Sequence, residues 1–286
     1  MNPADLIPQL AKLSLVPVGA VARERRPGVT VLGYHRVGGR SGRQLDLPAA
    51  VFDWQMAYLR THCTVVSLDQ VARIVQEGTV YPHDVVAVTF DDGYEEVYHE
   101  AFPILRRHGL PVTVYLATAA VENRRPFPFE ALLSPSIQGR PLSWAQAREL
   151  QDSGLVAFGA HTHTHRDLTM LSPTDVEHEL TVSNDLILEH LGRAPAHFAY
   201  PWGQTSGPAR AIVDRFYRTA VIGGTRKNPY GTIDLGALRR VPIQRSDARL
   251  FFRLKLGSYL FAEEWVRRRR AGHAASVAMA AWWLRD

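Results

Sequence analysis

Short β-branched runs that alternate with helix-length stretches restrict this chain more than any other feature. "VTVLGYH" (29–35), "VVAVTFDD" (85–92), "VTVYLAT" (112–118), "LVAFGAHT" (155–162), "HFAYP" (197–201), "TAVIGG" (219–224) and "RRVPI" (239–243) each read as a strand, with "CTVVSL" (63–68) a further candidate. Helix signals lie between them. Ser143 stands three residues before Gln146, as in a capping box, and its segment stops at Gly154. Ser172, Pro173 and Gly192 mark the cap, the first turn and the end of a second helix. A third follows Asp92 and ends at Gly109, with Pro103 bound to kink or interrupt it. Near-continuous apolar strands separated by helices predict a parallel sheet covered by helices. Seven or eight such units in one chain predict an α/β fold of the barrel kind, with functional residues at the C-terminal ends of the strands.

Composition excludes some classes. At 286 residues and 46% hydrophobic, the chain can bury its own core. The lone Cys63 cannot form an internal disulfide, so the fold is independent of an oxidising compartment, and the residue reads as buried filler rather than a nucleophile. No apolar run reaches the ~18 residues of a membrane span. The N-terminus lacks a basic leader region, and Gln9, Lys12 and two prolines break its apolar stretch, so a cytoplasmic protein is expected.

The net charge of +5 comes largely from the C-terminal end, where Arg267 to Arg270 sit between apolar and Trp-rich segments. That run reads either as a solvated helix face or as a peripheral contact with the anionic inner face of a membrane. No nucleic-acid recognition motif accompanies it, so no nucleic-acid partner is expected. Residues 1–27 read as an N-terminal appendage, 28–246 as the barrel, and 247–286 as a basic helical C-terminal extension. The proline-bearing stretch 122–141 reads as a loop at the rim of the site.

Chemistry gathers at two strand ends. Asp91 and Asp92 close the strand that begins at Val85, and Gly93 permits a sharp exit. Taken alone, the pair would cap the next helix. "GAHTHTHRDLTML" changes that reading, because it sets His161, His163 and His165 just after another strand. His161 and His165 are four apart, so one helical turn would place both imidazoles on one side. Two histidines and one aspartate form a facial set for a divalent metal, with positions left open. His163 is expected to point elsewhere. One aspartate would ligate the metal and the other would serve as base toward water, whose pKa the cation lowers. The cation also removes the repulsion between the two carboxylates.

"TFDDG" (Thr89 to Gly93), the His-Thr-x-x-His of His161 to His165, and "HFAYPWG" (His197 to Gly203) together resemble the three leading motifs of the polysaccharide deacetylases, carbohydrate esterase family 4. The last is similar to the branch that acts on poly-N-acetylglucosamine. The resemblance covers residues ~29–245 and implies a distorted (β/α)7 barrel, here with a helical C-terminal extension. It implies a metal-dependent hydrolase that removes an N-acetyl or other acyl group from a carbohydrate, with an N-acetylated sugar or polysaccharide as partner. By position, Asp91 would be the general base. Asp92, His161 and His165 would bind one divalent ion, zinc in the first place, with cobalt or nickel as alternatives. The backbone N–H of Trp202 would help hold the oxyanion.

Two family features are missing. The arginine that precedes the proline of the third motif is replaced by Ala199, and Arg239 or Arg240 in "LRRVPI" is the substitute, with Arg240 carried forward. No Leu-x-His motif supplies a general acid. His273 lies beyond the barrel, so His35 in "VLGYHRVG" is the candidate. These losses leave open a weakened barrel that only binds a sugar or lipid-linked sugar. The same chemistry on a smaller amide also stays open.

Overall fold

The computed structural model describes residues 3–127, 130 and 139–264. The arginine run, His273 and the centre of the 122–141 stretch lie outside the described residues. Eleven strands are described: β1 (Gly28–Tyr34), β2 (Arg36–Val37), β3 (Asp46–Leu47), β4 (Thr64–Val65), β5 (Val85–Phe90), β6 (Val112–Leu116), β7 (Val156–Ala160), β8 (His197–Ala199), β9 (Thr219–Gly223), β10 (Asn228–Pro229) and β11 (Leu238–Pro242). The described helices are α1 (Pro3–Ala22), α2 (Ala49–His62), α3 (Leu68–Gln76), α4 (Phe102–His108), α5 (Thr118–Asn123), α6 (Trp144–Asp152), α7 (Pro173–Leu191), α8 (Gly207–Phe216) and α9 (Arg249–Leu256).

Seven parallel strands close on themselves in the order β1–β11–β9–β8–β7–β6–β5 and back to β1. This is the (β/α)7 barrel. Its closure is longest where β1 meets β5, paired from Val29↔Val85 to Tyr34↔Phe90. It is shortest between β7 and β8, which share the single pair Ala160↔Phe198. The barrel is distorted there.

Strand side chains alternate between two faces. Val29 and Val31, Val85 and Ala87, Tyr115, Ala199, Val221 and Leu238 form one buried cluster, the interior, floored by Leu68, Val71 and Ile74 of α3. Leu32, Tyr34, Val86, Val88, Phe90, Val112 and Val114 form the larger layer beneath the helices. Both faces are therefore apolar, which is why the strands read as unbroken runs. Gly159 belongs to the interior set. A Cβ there would lie 2.5 Å from the Tyr115 ring, so only glycine lets that ring fill the lumen.

The helix signals hold where local chemistry fixes them. Ser143 and Gln146 form the reciprocal capping box of α6, and Gly154 follows with φ 74°. Ser172 caps α7, Pro173 opens it, and Gly192 ends it left-handed. Pro103 falls in the first turn of α4, after a π-helical turn over Val97–Ala101. The candidate strand at 63–68 is a correction. Only Thr64–Val65 pair with β5, because the Ser67 hydroxyl accepts from Gln70 N–H and starts α3. Cys63 is half-buried and its thiol is pushed up to about 11 by burial, far from nucleophile chemistry.

Outside the barrel, α1 docks through one buried cation. Lys12 donates to Ser246 Oγ at 2.6 Å and pairs with Asp247, which also accepts from Lys255 Nζ at 2.6 Å. No helix among the described residues is long and apolar enough to cross a membrane.

Candidate active site

The interior parity carries on past the strand ends. His35 stands four residues after Val31, Asp91 four after Ala87, His161 two after Gly159, and Arg240 two after Leu238. All four line one cleft at the C-terminal mouth of the barrel, together with Asp92, His165 and Trp202. Parity would send Asp92 to the outer face. Its left-handed backbone, φ 70°, turns it back into the cleft instead. Gly93 follows with φ 83°, and a Cβ there would sit 2.6 Å from Leu116 Cδ2. The turn is anchored by Gly93 N–H donating to Asp91 O at 2.9 Å and Asp91 N–H donating to Tyr34 O at 3.0 Å.

The histidines reach the site by another route than the helical turn read from their spacing. After β7 the chain is irregular, with Thr162 at φ 63° and His165 at φ 60°. Thr162 Oγ1 accepts from His165 N–H at 2.9 Å, so a side-chain clip replaces a helical turn. Among the described residues, four of the six non-glycine positions with positive φ, Asp92, Thr162, His165 and Trp202, thus belong to this centre or the segment joining its histidines. His163 points away and meets Thr118 Oγ1 at 3.0 Å.

Asp92 Oδ1 lies 3.5 Å from His161 Nε2 and 3.4 Å from His165 Nε2. Donor atoms of all three residues lie within 4.8 Å of one another, and all three are buried. Ligand bonds of about 2.1 Å in a tetrahedral shell put neighbouring donors roughly 3.4 Å apart, the spacing observed here. Asp92 Oδ1 is buried without a hydrogen-bond partner. His161 donates its Nδ1–H to Ala199 O at 2.7 Å, which leaves Nε2 as a lone pair aimed at Asp92. Burial, with Asp91 and Glu130 nearby, pushes the Asp92 carboxyl well above the usual range. Burial likewise holds both imidazoles below theirs. A buried acceptor set that repels protons from its histidines, and whose nearest cation, Arg240, is paired with Asp91, fits a divalent cation.

Asp91 is treated differently. It is 3% exposed, and Arg240 of β11 grips both of its oxygens, with Nη2 donating to Oδ2 at 2.6 Å and Nη1 donating to Oδ1. Burial works to raise this carboxyl, yet Arg240, His161 and His35 together hold it well below the usual range. Arg239 points outward and is exposed, because Leu238 and Arg240 take the interior positions of β11. His35 Nε2 lies 3.7 Å from Asp91 Oδ2, and burial, helped by Arg240 and His161, pushes its imidazole down to about 4. Trp202 sits in the one-turn helix Pro201–Gly203 at φ 60°, its ring edge-on to His165 at 4.8 Å.

Sequence reasoning passed over one wall of the cleft. Arg36, Ser41, Arg43, Asp46, Tyr94 and Glu130 line it from the segment after β1 and from the rim. The signal was the Gly- and Arg-rich "RVGGRSGRQLD" directly after a barrel strand, where loops carry function.

A family profile described as Polysaccharide deacetylase matches residues 69–221, more than half of the chain. The poly-beta-1,6-N-acetyl-D-glucosamine N-deacetylase of Staphylococcus aureus (strain MRSA252) is 23% identical over 195 residues, covering 60% of this chain and 63% of that protein. The chain spans less than two thirds of the length of the first curated relatives it matches. Among solved structures, the Streptococcus pyogenes deacetylase PplD in complex with acetate superposes with a TM-score of 0.68 at 22% identity, over 80% of this chain and 98% of that one. IcaB from Ammonifex degensii gives 0.67 at 23%, over 83% and 100%. At such identities these two structures share the fold.

Proposed function

The chain belongs to the polysaccharide deacetylase family, and on that basis we propose that it is a metal-dependent hydrolase removing an N-acetyl group from a carbohydrate. The observation that carries the reading is the division between two adjacent aspartates. Asp91 is kept ionised by Arg240, while Asp92 faces two imidazole nitrogens at metal-ligand spacing.

Asp92, His161 and His165 hold the ion in this reading, with zinc the first choice for two imidazoles and one carboxylate. When bound, the ion supplies Lewis-acid polarisation of the amide carbonyl and a lower pKa for water. Asp91 accepts the proton as the water oxygen bonds to the carbonyl carbon. Arg240 fixes the plane of that carboxylate, so the accepting oxygen stays aimed into the cleft. Trp202, in its left-handed turn, offers backbone N–H to the oxygen that becomes negative. The C–N bond then breaks as its nitrogen gains a proton.

His35 delivers that proton. It stands 3.7 Å from Asp91, and burial holds its imidazole below the usual range, so it gives up a proton readily. That position lets it pass a proton from the Asp91 side of the cleft to the leaving nitrogen. The products are acetate and the free amino sugar. Polymers of N-acetylglucosamine are the first substrates to try, given what the Staphylococcus relative is named for.

Asp91→Asn is the test. The variant is expected to bind one zinc per chain, read by elemental analysis, and to release no acetate from any N-acetylated oligosaccharide that the wild type accepts. Near-normal turnover by Asp91→Asn would remove Asp91 from the role of base.

A further inference from the structure

The wall missed in the sequence sets Arg36 and Arg43 among Asp46, Glu96 and Glu130, yet leaves part of both guanidinium groups without an acceptor. Arg36 and Arg43 both approach Glu130 Oε1, at 3.5 and 3.9 Å, neither close enough to be a hydrogen bond. That oxygen already accepts from Tyr94 Oη at 3.1 Å, and Glu130 Oε2 accepts from Gly139 N–H at 2.6 Å. Arg36 is otherwise paired with Glu96. Among the described residues, three guanidinium nitrogens are therefore buried without an acceptor: Arg36 Nη1, Arg43 Nη1 and Arg43 Nη2. Buried donors left this way are costly, and charged ones most of all.

Arg43 is the residue least explained by folding. It is 7% exposed, yet its loop closes without its side chain. Asp46 accepts from Gly39 N–H, Ser41 N–H and Ser41 Oγ, and Asp46 N–H donates to the Arg43 carbonyl. The short β2–β3 pairing fixes both ends of the loop, so the guanidinium is presented to the cleft by a built support. The fork of Arg43 and the single remaining nitrogen of Arg36, whose Nε and Nη2 are held by Glu96, match the oxygens of a phosphate or a carboxylate.

We propose that Arg43, assisted by Arg36, is a specificity-determining subsite for an oxyanion carried by the substrate sugar. The inference rests on the amidase reading of the same cleft and narrows it, because the preferred substrate is an N-acetylated sugar bearing a phosphate or carboxylate. A neutral sugar fills the amide site but leaves the three nitrogens unsatisfied.

The test compares three sugars on the zinc-loaded full chain: N-acetylglucosamine 1-phosphate, an N-acetylated hexosaminuronic acid, and the neutral methyl glycoside of N-acetylglucosamine. For each, kcat/KM is measured by acetate release and Kd by calorimetry. One of the anionic sugars is expected to exceed the neutral one by at least about tenfold, the scale of one charge-assisted hydrogen bond. Which of the two does so identifies phosphate or carboxylate as the source. Arg43→Gln should bring that ratio close to unity, and Arg43→Lys should restore part of it. Glu130→Gln removes the competing carboxylate and should raise the ratio, which keeps the test decisive if Arg43→Gln does not fold. Hydrolysis of all three sugars at similar efficiency would overturn the subsite and leave the amidase reading standing. If none is hydrolysed, calorimetry decides. Equal affinities would overturn the subsite, and an anionic preference lost in Arg43→Gln would uphold it while the amidase reading fails.

Discussion

Replacing Arg240 with Met would leave the Asp91 carboxylate buried without the fork that now grips both its oxygens. Breaking a buried, hydrogen-bonded ion pair by removing one partner costs about 3–5 kcal/mol. Asp91 can escape that cost by taking up a proton, so the loss appears as a pKa rise rather than as unfolding. At 1.36 kcal/mol per unit the range corresponds to roughly two to four units. A divalent ion beside Asp92 would still favour the ionised form, so the lower end, about two units, is the expectation. In the wild type Asp91 lies well below the usual carboxylate range, and it is ionised throughout neutral pH. In Arg240→Met the acid limb of kcat/KM should therefore climb, with the deficit deepest at low pH and shrinking as pH rises. The assay is amine release from N-acetylglucosamine oligomers by zinc-loaded enzyme between about pH 3 and 9, because two units above a value well below the usual carboxylate range still falls short of pH 5, with zinc content checked at each pH. Arg240→Lys should fall between, because an ammonium restores charge but not the two-point grip. An acid limb that stays at its wild-type position in Arg240→Met, with full zinc, would refute the assignment.

Three other outcomes follow from the geometry. His161→Ala should leave less than one zinc per chain after dialysis, by elemental analysis, and deacetylation should vanish with it, as it should on chelation of the wild type. Asp247→Asn leaves Lys12 without a carboxylate in the joint between α1 and α9, while Lys255 keeps Glu263 and the Pro242 carbonyl, so urea unfolding should register a loss of about 3 kcal/mol. The Asp247 carboxyl is held below its unfolded value despite burial, by Lys12 and Lys255, so that stabilisation is complete at neutral pH and is lost as pH falls through the folded value. Gly93→Ala must adopt φ 83° and press on Leu116, so it should lower both Tm and activity, whereas a normal Tm would show that the turn relaxes freely.

Much of this was legible in the residues. The seven barrel strands were readable because both of their faces are apolar, and Asp91, Asp92, His161 and His165 because two carboxylates and two imidazoles at two strand ends have few plain structural uses. Period-two alternation could also have chosen Arg240 over Arg239, since Leu238 marks the inward phase of β11. Other features depend on backbone states that side-chain identity does not signal. Left-handed Thr162 and His165 replaced the expected helical turn, and Ser67 shortened the strand before α3. The Arg36–Arg43 wall stayed hidden because its donors converge with Tyr94 and Glu130, residues far apart in the chain, only after folding.

The left-handed residues around Asp92, His161 and His165 set stability against the proposed activity. Each non-glycine residue in that conformation costs on the order of 1 kcal/mol, so the centre withdraws several kcal/mol from a fold that has few to spare. A barrel retained only to hold sugar would gain by relaxing those positions to glycine or asparagine. This chain keeps an aspartate, a threonine, a histidine and a tryptophan there, a cost that favours the proposed turnover over sugar holding alone.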